Sequence, residues 1–251
     1  MPTFLKRKYG QNFLIDNNVL KKISDLIPAD NLEILEIGPG DGRLTDKIIL
    51  KKPSSLTLVE IDNDLIDVLE KKYSNINKIK IVNSDILKFN INKKYQLVIS
   101  NLPYNISSQI LVKLSVPNFR PDILILMFQK EFAQRLLDPK LNSINSLIRC
   151  FYEIKLNFIV SKNCFRPVPK IESSVLTFKK LKKRLITDTE LNEFILFKRN
   201  LFSHKRKSLK NLLKKYNFKN SFNLDMRVEN LKLEDLIALF RAISPEIYQQ
   251  N

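Results

Sequence analysis

Glu33-Ile34-Leu35-Glu36-Ile37-Gly38-Pro39-Gly40-Asp41-Gly42 decides the fold. Five residues that read as a buried strand run straight into glycines at alternate positions. Glycine turns sharply and lets a ligand come close to the backbone. The spacing is G-x-G-x-G, not the G-x-G-x-x-G of dinucleotide folds. It also lacks the Gly-Lys-Ser/Thr of a phosphate-cradling loop, which disfavours ATP. All but one of the chain's four glycines sit in this turn. Taken alone, it is equally an ordinary tight strand-to-helix turn or a ligand site.

Short apolar runs recur on either side of it. Strands are predicted over Glu33–Ile37, Leu56–Glu60, Ile79–Val82, Gln96–Ser100 and Ile123–Phe128, then over Ile154–Val160 and Ser173–Phe178. Helical patterns fill the gaps between the first five. Over Asp62–Tyr73, for example, Leu65, Ile66, Leu69 and Tyr73 share a face and Asp62 can cap the start. Strand and helix in alternation specify an α/β fold, with a mostly parallel sheet covered on both faces. The last two strands are linked by a proline-bearing loop, Cys164–Lys170, and read as a closing antiparallel hairpin. Residues 1–180 thus form one domain. Beyond the charged junction Lys179–Arg184 the pattern turns all-helical, and residues 185–251 form a second, small domain. Its apolar stripes are Leu191/Phe194/Ile195/Leu201/Phe202, Leu209/Leu212/Leu213/Tyr216 and Leu233/Leu236/Ile237/Phe240.

Composition narrows the function. The chain has 251 residues and is 44% hydrophobic, enough for a sizeable core. No apolar stretch reaches the roughly 18–20 residues of a membrane span, and no signal-peptide core is present. Cys150 and Cys164 show no paired or metal-binding spacing, and with a single histidine no metal site is expected. Reduced thiols fit a cytoplasmic protein. Net charge is +17, from 43 basic and 26 acidic residues. Lys179–Lys219 alone holds fourteen Lys/Arg against Asp188, Glu190 and Glu193. Such clustering points to a polyanion, most simply nucleic acid; a solubilising lysine surface is the bland alternative.

Polar residues follow four successive strands at their carboxyl ends, where open α/β sheets bind ligands. They are the glycine turn with Gly38, then Glu60, Asp85 and Asn101. Glu60 can accept both hydroxyls of a ribose, and Asp85 can accept from an adenine amine. Each could also be a plain helix cap; together they favour a nucleoside-bearing cofactor. Asn101-Leu102-Pro103-Tyr104 addresses a particular chemical problem. The exocyclic amine of adenine is a poor nucleophile, because its lone pair is delocalised into the ring. The Asn101 amide oxygen and the Leu102 carbonyl can accept both N–H hydrogens and draw the lone pair out. Pro103 stiffens the turn and Tyr104 offers a face for the base.

Several motifs in chain order resemble the ribosomal RNA adenine N6-dimethyltransferases, specifically the small-subunit type. They are Tyr9–Leu14, Glu36–Gly40, Val59–Asp62, Asn101–Ser107, Gln129–Glu131, Phe165–Val175 and Phe202–Leu209, covering nearly the whole chain. The resemblance implies a Rossmann-like domain using S-adenosylmethionine, with a seven-stranded sheet and a C-terminal RNA-binding helical domain. It implies cofactor contacts from Asn12, Leu14, Gly38, Glu60, Asp85 and Asn101, and a base held between Tyr104 and Phe165. The implied substrate is two adjacent adenosines in a 3′-terminal hairpin loop of small-subunit rRNA, presented by an immature 30S particle. A monomer is the default. Two alternatives stay open: a large-subunit adenine methyltransferase of the macrolide-resistance type, and a non-catalytic RNA-binding assembly factor. A DNA amino-methyltransferase is a more distant option. The chain departs from the family pattern at Ile144-Asn145-Ser146-Leu147-Ile148-Arg149.

Overall fold

The structure, a computed structural model, describes residues 12–91, 94–117, 119–204, 206–214, 216 and 222–247. Two compact units emerge from it: one takes in the chain up to Gln134 together with Glu153–Lys180, the other Arg135–Tyr152 together with Leu181 onward. The boundary read at residue 180 therefore marks the last exit from the sheet unit. The chain has left that unit once before, at Arg135–Tyr152.

The sheet unit opens with a two-residue strand, β1 (Phe13–Leu14), and helix α1 (Asn17–Ser24), capped by the Asp16 carboxylate on the amides of Asn18 and Val19. Strand β2 (Glu33–Ile37), helix α2 (Arg43–Ile49), β3 (Ser55–Glu60), helix α3 (Asn63–Tyr73) and β4 (Ile79–Asn83) alternate as expected. Asp62 caps α3, and its buried face is Leu65, Ile66, Leu69 and Tyr73, the face read from periodicity. Next come β5 (Leu97–Asn101), α4 (Ser107–Lys113), β6 (Ile123–Gln129) and α5 (Lys130–Leu137). After the short α6 (Asn145–Ile148), the chain forms β7 (Tyr152–Val160), the two-residue β8 (Phe165–Arg166) and β9 (Ser173–Lys180).

Seven strands lie in the order β4-β3-β2-β5-β6-β9-β7, while β1 pairs separately with β8. From β4 to β6 all pairings are parallel; β9 runs antiparallel to β6. The first four residues of β5, Leu-Val-Ile-Ser, are all buried, because a central parallel strand is covered on both faces. The order reverses between β2 and β5: the chain steps outward to β3 and β4, then returns to the far side of β2. Such a reversal opens a crevice at the carboxyl ends of the two strands. Buried Ser100 fastens this point, its hydroxyl donating to the Ile37 carbonyl at 2.6 Å.

The second unit is helical, with α7 (Leu191–Ser203), α8 (Leu209–Leu212) and α9 (Leu233–Ile247). Phe240 on α9 packs against Phe194 and Phe197 of α7, with ring centroids 5.3 and 5.5 Å apart. The α7 face differs from the predicted stripe: Phe197 and Lys198 are buried, while Ile195 and Phe202 are only half-buried. The stripe at Leu209–Tyr216 predicts a two-turn helix, but α8 holds four residues. Only Leu209 and Leu213 are buried there, and so short an element has little stability of its own. The departing segment forms α6 in this unit. Fully buried Asn145 donates from Nδ2 toward the carbonyls of Arg135, Asp138 and Lys140, and its Oδ1 accepts from the Asn142 amide at 2.8 Å. The Arg149 guanidinium adds bonds to the carbonyls of Leu136 and Asp138. This knot satisfies carbonyls that the end of α5 leaves without helical partners. No helix among the described residues is long and apolar enough to cross a membrane.

Candidate active site

At Gly38 the backbone adopts φ +63°, and a Cβ added there would meet nothing within 4 Å. The constraint at Gly38 is therefore conformational, and the space beside it is open for a ligand. Its amide donates to the Val59 carbonyl at 2.9 Å, which ties the turn to β3. At Gly40 a Cβ would lie 2.9 Å from the Phe13 ring, so this glycine admits the N-terminal segment against the turn. Tyr73 braces the turn from behind. Its hydroxyl lies 2.7 Å from both the Gly42 carbonyl and the Asp46 carboxylate, and burial pushes its pKa up.

Two carboxylates stand behind this loop. Glu60 ends β3, 6% exposed, and accepts backbone amides on both oxygens: Gly40 at 3.2 Å on one, Ile61 and Asp62 at 2.9 and 3.0 Å on the other. Burial pushes its carboxyl up and the three amides pull it back. Glu36 is 1% exposed and accepts the Thr45 hydroxyl at 2.7 Å. Burial raises it to about 8 against that hydrogen bond, with Asp46 and Glu60 adding repulsion. Glu36 is therefore largely protonated at neutral pH. Asp85 follows β4; its carboxylate accepts the Leu87 amide at 2.9 Å, and the neighbouring Ser84 amide donates to the Glu60 carbonyl at 2.8 Å.

The corner after β5 is tied down on several sides. Asn101 Nδ2 donates to the Asn12 carbonyl at 3.0 Å. A carbonyl can only accept, so the amide nitrogen must face Asn12, which leaves Oδ1 as the acceptor on the other side of the amide. The Pro103 carbonyl accepts the Ile106 amide at 3.3 Å, and the Tyr104 carbonyl accepts the Ser107 hydroxyl at 3.1 Å. The Tyr104 hydroxyl sits 2.7 Å from Ser173 Oγ, and burial raises the phenol's pKa.

One cleft collects these parts. Asn12, Leu14, Gly38, Glu60 and Asp85 line it, and so do Asn101, Leu102, Pro103 and Tyr104. Phe165 is not brought to it: fully buried, it registers opposite Leu14 in the β1–β8 pair and belongs to the hydrophobic core. Sequence reasoning overlooked Ser100, Tyr73, Ser173 and the state of Glu36. Their roles depend on partners 27 to 69 residues away, or on burial, and leave no local pattern. Tyr9–Gln11 and Lys205, which belong to the motifs read in the sequence, lie outside the described residues. His204 is exposed, its ring nitrogen 2.9 Å from the Ser203 hydroxyl. Among the described residues no group of three or more His, Cys, Asp or Glu could hold a metal ion.

A reversal point in a mostly parallel seven-stranded sheet, glycine turn on one side and Asn-Leu-Pro-Tyr corner on the other, defines a Rossmann-like methyltransferase. Comparison with known proteins takes the assignment further. A family model described as ribosomal RNA adenine dimethylase matches residues 3–244. A ribosomal RNA small subunit methyltransferase A from Malacoplasma penetrans is 44% identical over 225 residues, 85% of this chain and 79% of that one. Another from Mycoplasmopsis pulmonis is 38% identical over 252 residues, 94% and 97% of the two chains. The chain belongs to the ribosomal RNA adenine dimethylase family, and it is an enzyme of that family. Two solved structures share its fold. A dimethyladenosine transferase from Plasmodium falciparum has TM-score 0.78 at 24% identity, covering 94% of this chain and 98% of that one. The 23S rRNA methyltransferase ErmE has 0.74 at 22%, covering 92% and 99%.

Proposed function

We propose that this protein dimethylates N6 of two adjacent adenosines in the 3′-terminal hairpin loop of small-subunit rRNA, acting in the cytoplasm on immature 30S particles. The observation that carries the reading is the Asn101 amide, its nitrogen taken by the Asn12 carbonyl and its oxygen left to accept, in a cleft lined also by the glycine turn, Glu60 and Asp85. The names of the relatives, which act on the small subunit, favour this substrate over large-subunit rRNA.

The residues of the cleft fit S-adenosylmethionine. Gly38 has open space where its Cβ would be, and Glu60 and Asp85 line the same cleft, where they would accept ribose hydroxyls and an adenine amine. Asn12 and Leu14 would close over it from the N-terminal side. When bound, this group supplies a methyl made electrophilic by a sulfonium. The protein's own work is to prepare N6. A loop adenine is already largely unpaired and leaves its stack at small cost. The Tyr104 ring holds the base, and stacking of this kind is worth about 1–3 kcal/mol. Asn101 Oδ1 and the Leu102 carbonyl accept the N6 hydrogens; the carbonyls of Pro103 and Tyr104 are engaged within the turn itself. The nitrogen's lone pair is thereby aimed by position and electrostatics, with no strong base needed. The methylated nitrogen releases its proton to solvent.

The helical unit supplies the RNA-binding face. Lys182, Lys183, Arg199, Arg206, Lys207, Lys210 and Lys214 are exposed, and Lys198 is withdrawn from this set by burial. The test is mass spectrometry of adenosines in immature small subunits after incubation with the protein and S-adenosylmethionine. N6,N6-dimethyladenosine at two neighbouring positions is expected. No modification, or modification of naked large-subunit RNA instead, overturns the reading.

A further inference from the structure

Tyr104 is the aromatic on which the base is proposed to rest, yet it stands in a loop after β5 and is only half-buried. A side chain so placed rotates unless something outside its own loop holds it. The outside contact is Ser173, whose hydroxyl lies 2.7 Å from the Tyr104 hydroxyl across 69 residues of sequence. Ser173 is itself fully buried. It is the first residue of β9, in register with Gln129 of the antiparallel β6–β9 ladder, and the Lys130 amide bonds to the preceding carbonyl of Glu172 at 3.0 Å. The anchor therefore sits in the paired β6–β9 ladder, while Tyr104 lines the cleft.

We infer that Ser173 is a positioning residue for methyl transfer: its hydroxyl clamps the Tyr104 phenol and so sets the plane in which the target adenine is held. The inference rests on the methyltransferase reading above and adds a consequence to it. After one methylation, N6 keeps a single N–H, so it can satisfy only one of the two acceptors, Asn101 Oδ1 and the Leu102 carbonyl. The second methylation then leans more heavily on the ring's orientation than the first. Loosening Tyr104 should therefore slow the second step more than the first, and monomethyladenosine should accumulate.

The experiment compares wild type, Ser173→Ala, Tyr104→Phe and the double variant. Measured are kcat and KM on immature 30S particles, the monomethyl-to-dimethyl ratio by mass spectrometry, S-adenosylmethionine affinity by calorimetry and the midpoint of thermal unfolding. Ser173→Ala is expected to lower kcat about fivefold, the weight of one hydrogen bond. It should raise the monomethyl fraction and leave cofactor affinity unchanged. Tyr104→Phe, which keeps the ring and removes only the hydroxyl, should match it, and the double variant should add nothing further. Additive effects, or a Ser173→Ala enzyme with wild-type kcat and product ratio, overturn the positioning role. A lowered unfolding midpoint with an unchanged product ratio also overturns it, since that is the mark of packing alone. If the wild type leaves adenosine unmodified, the functional reading fails and takes this role with it; if the wild type dimethylates, only the role of Ser173 is at stake.

Discussion

The cleft and the basic helical unit hold their charges in opposite ways. In the cleft three acids are fastened by the fold: Glu60 by three backbone amides, Glu36 by Thr45, Asp85 by the Leu87 amide. In the helical unit most cations stand in water, and the tightly held groups serve the fold instead. The Arg241 guanidinium grips Glu190 and holds its carboxyl down at about 2, while Lys198 Nζ donates to the Ser143 carbonyl at 2.6 Å and burial lowers it to about 8. The contrast shows a division of labour. A group that must meet one atom is built into the backbone. A group that must attract a polyanion works through a field and tolerates freedom.

Removing single groups should separate the two regimes. The largest effect is expected from Asn101→Ala, which deletes an aimed acceptor; kcat should fall about a hundredfold or more, judged by single-turnover assays on 30S particles. Retention of more than a tenth of wild-type kcat would end the claim that this amide prepares N6. Next comes Glu60→Ala, expected to weaken S-adenosylmethionine binding at least about tenfold by calorimetry, the scale of a lost charge-assisted hydrogen bond. Asn145→Ala lies outside the cleft and should cost about 2 kcal/mol of unfolding free energy in urea titrations, because several carbonyls lose a buried donor. Cofactor affinity should stay put.

A gentler change is expected on the basic face. Neutralising Arg206 and Lys207 should shallow the salt dependence of RNA binding by about 0.7 per charge in log–log slope, with cofactor binding untouched. An unchanged slope would mean that these side chains are merely solvated. The last effect is read against pH and concerns Glu36. Between its ordinary 4.5 and about 8 the folded protein keeps a proton that the unfolded chain has released. Cofactor-free stability should therefore fall as pH rises through that window and level off above it. Glu36→Gln should flatten the profile, and denaturation curves from pH 5 to 9 would reveal it.

Much of the sheet unit was legible because its signals are local. The strands from β2 to β6 are five to seven residues long and mostly apolar, β4 being the half-exposed edge, and the burial of α3 follows a 3.6-residue period. Gly38, Glu60, Asp85 and Asn101 could be placed together in advance, since parallel strands deliver their carboxyl ends to one edge. The helical unit was less legible. Its helices are short or mixed, so a stripe such as Leu209–Tyr216 reads longer than the helix that forms. The early exit at Arg135–Tyr152 gave no compositional sign, and Asn145 looked like a departure from pattern when it is the centre of a hydrogen-bonded knot.

From the residues alone came the alternation of strand and helix, the ligand-bearing edge, the chemistry suited to an exocyclic amine and the basic tail. All of these depend on neighbours in the chain. Tertiary structure alone decided that Phe165 belongs to the core, that Asn101 presents oxygen rather than nitrogen, that Tyr104 leans on Ser173 and that Glu36 keeps its proton. Each of those depends on a partner brought from far along the sequence or on the exclusion of water, and neither exists until the chain has closed on itself.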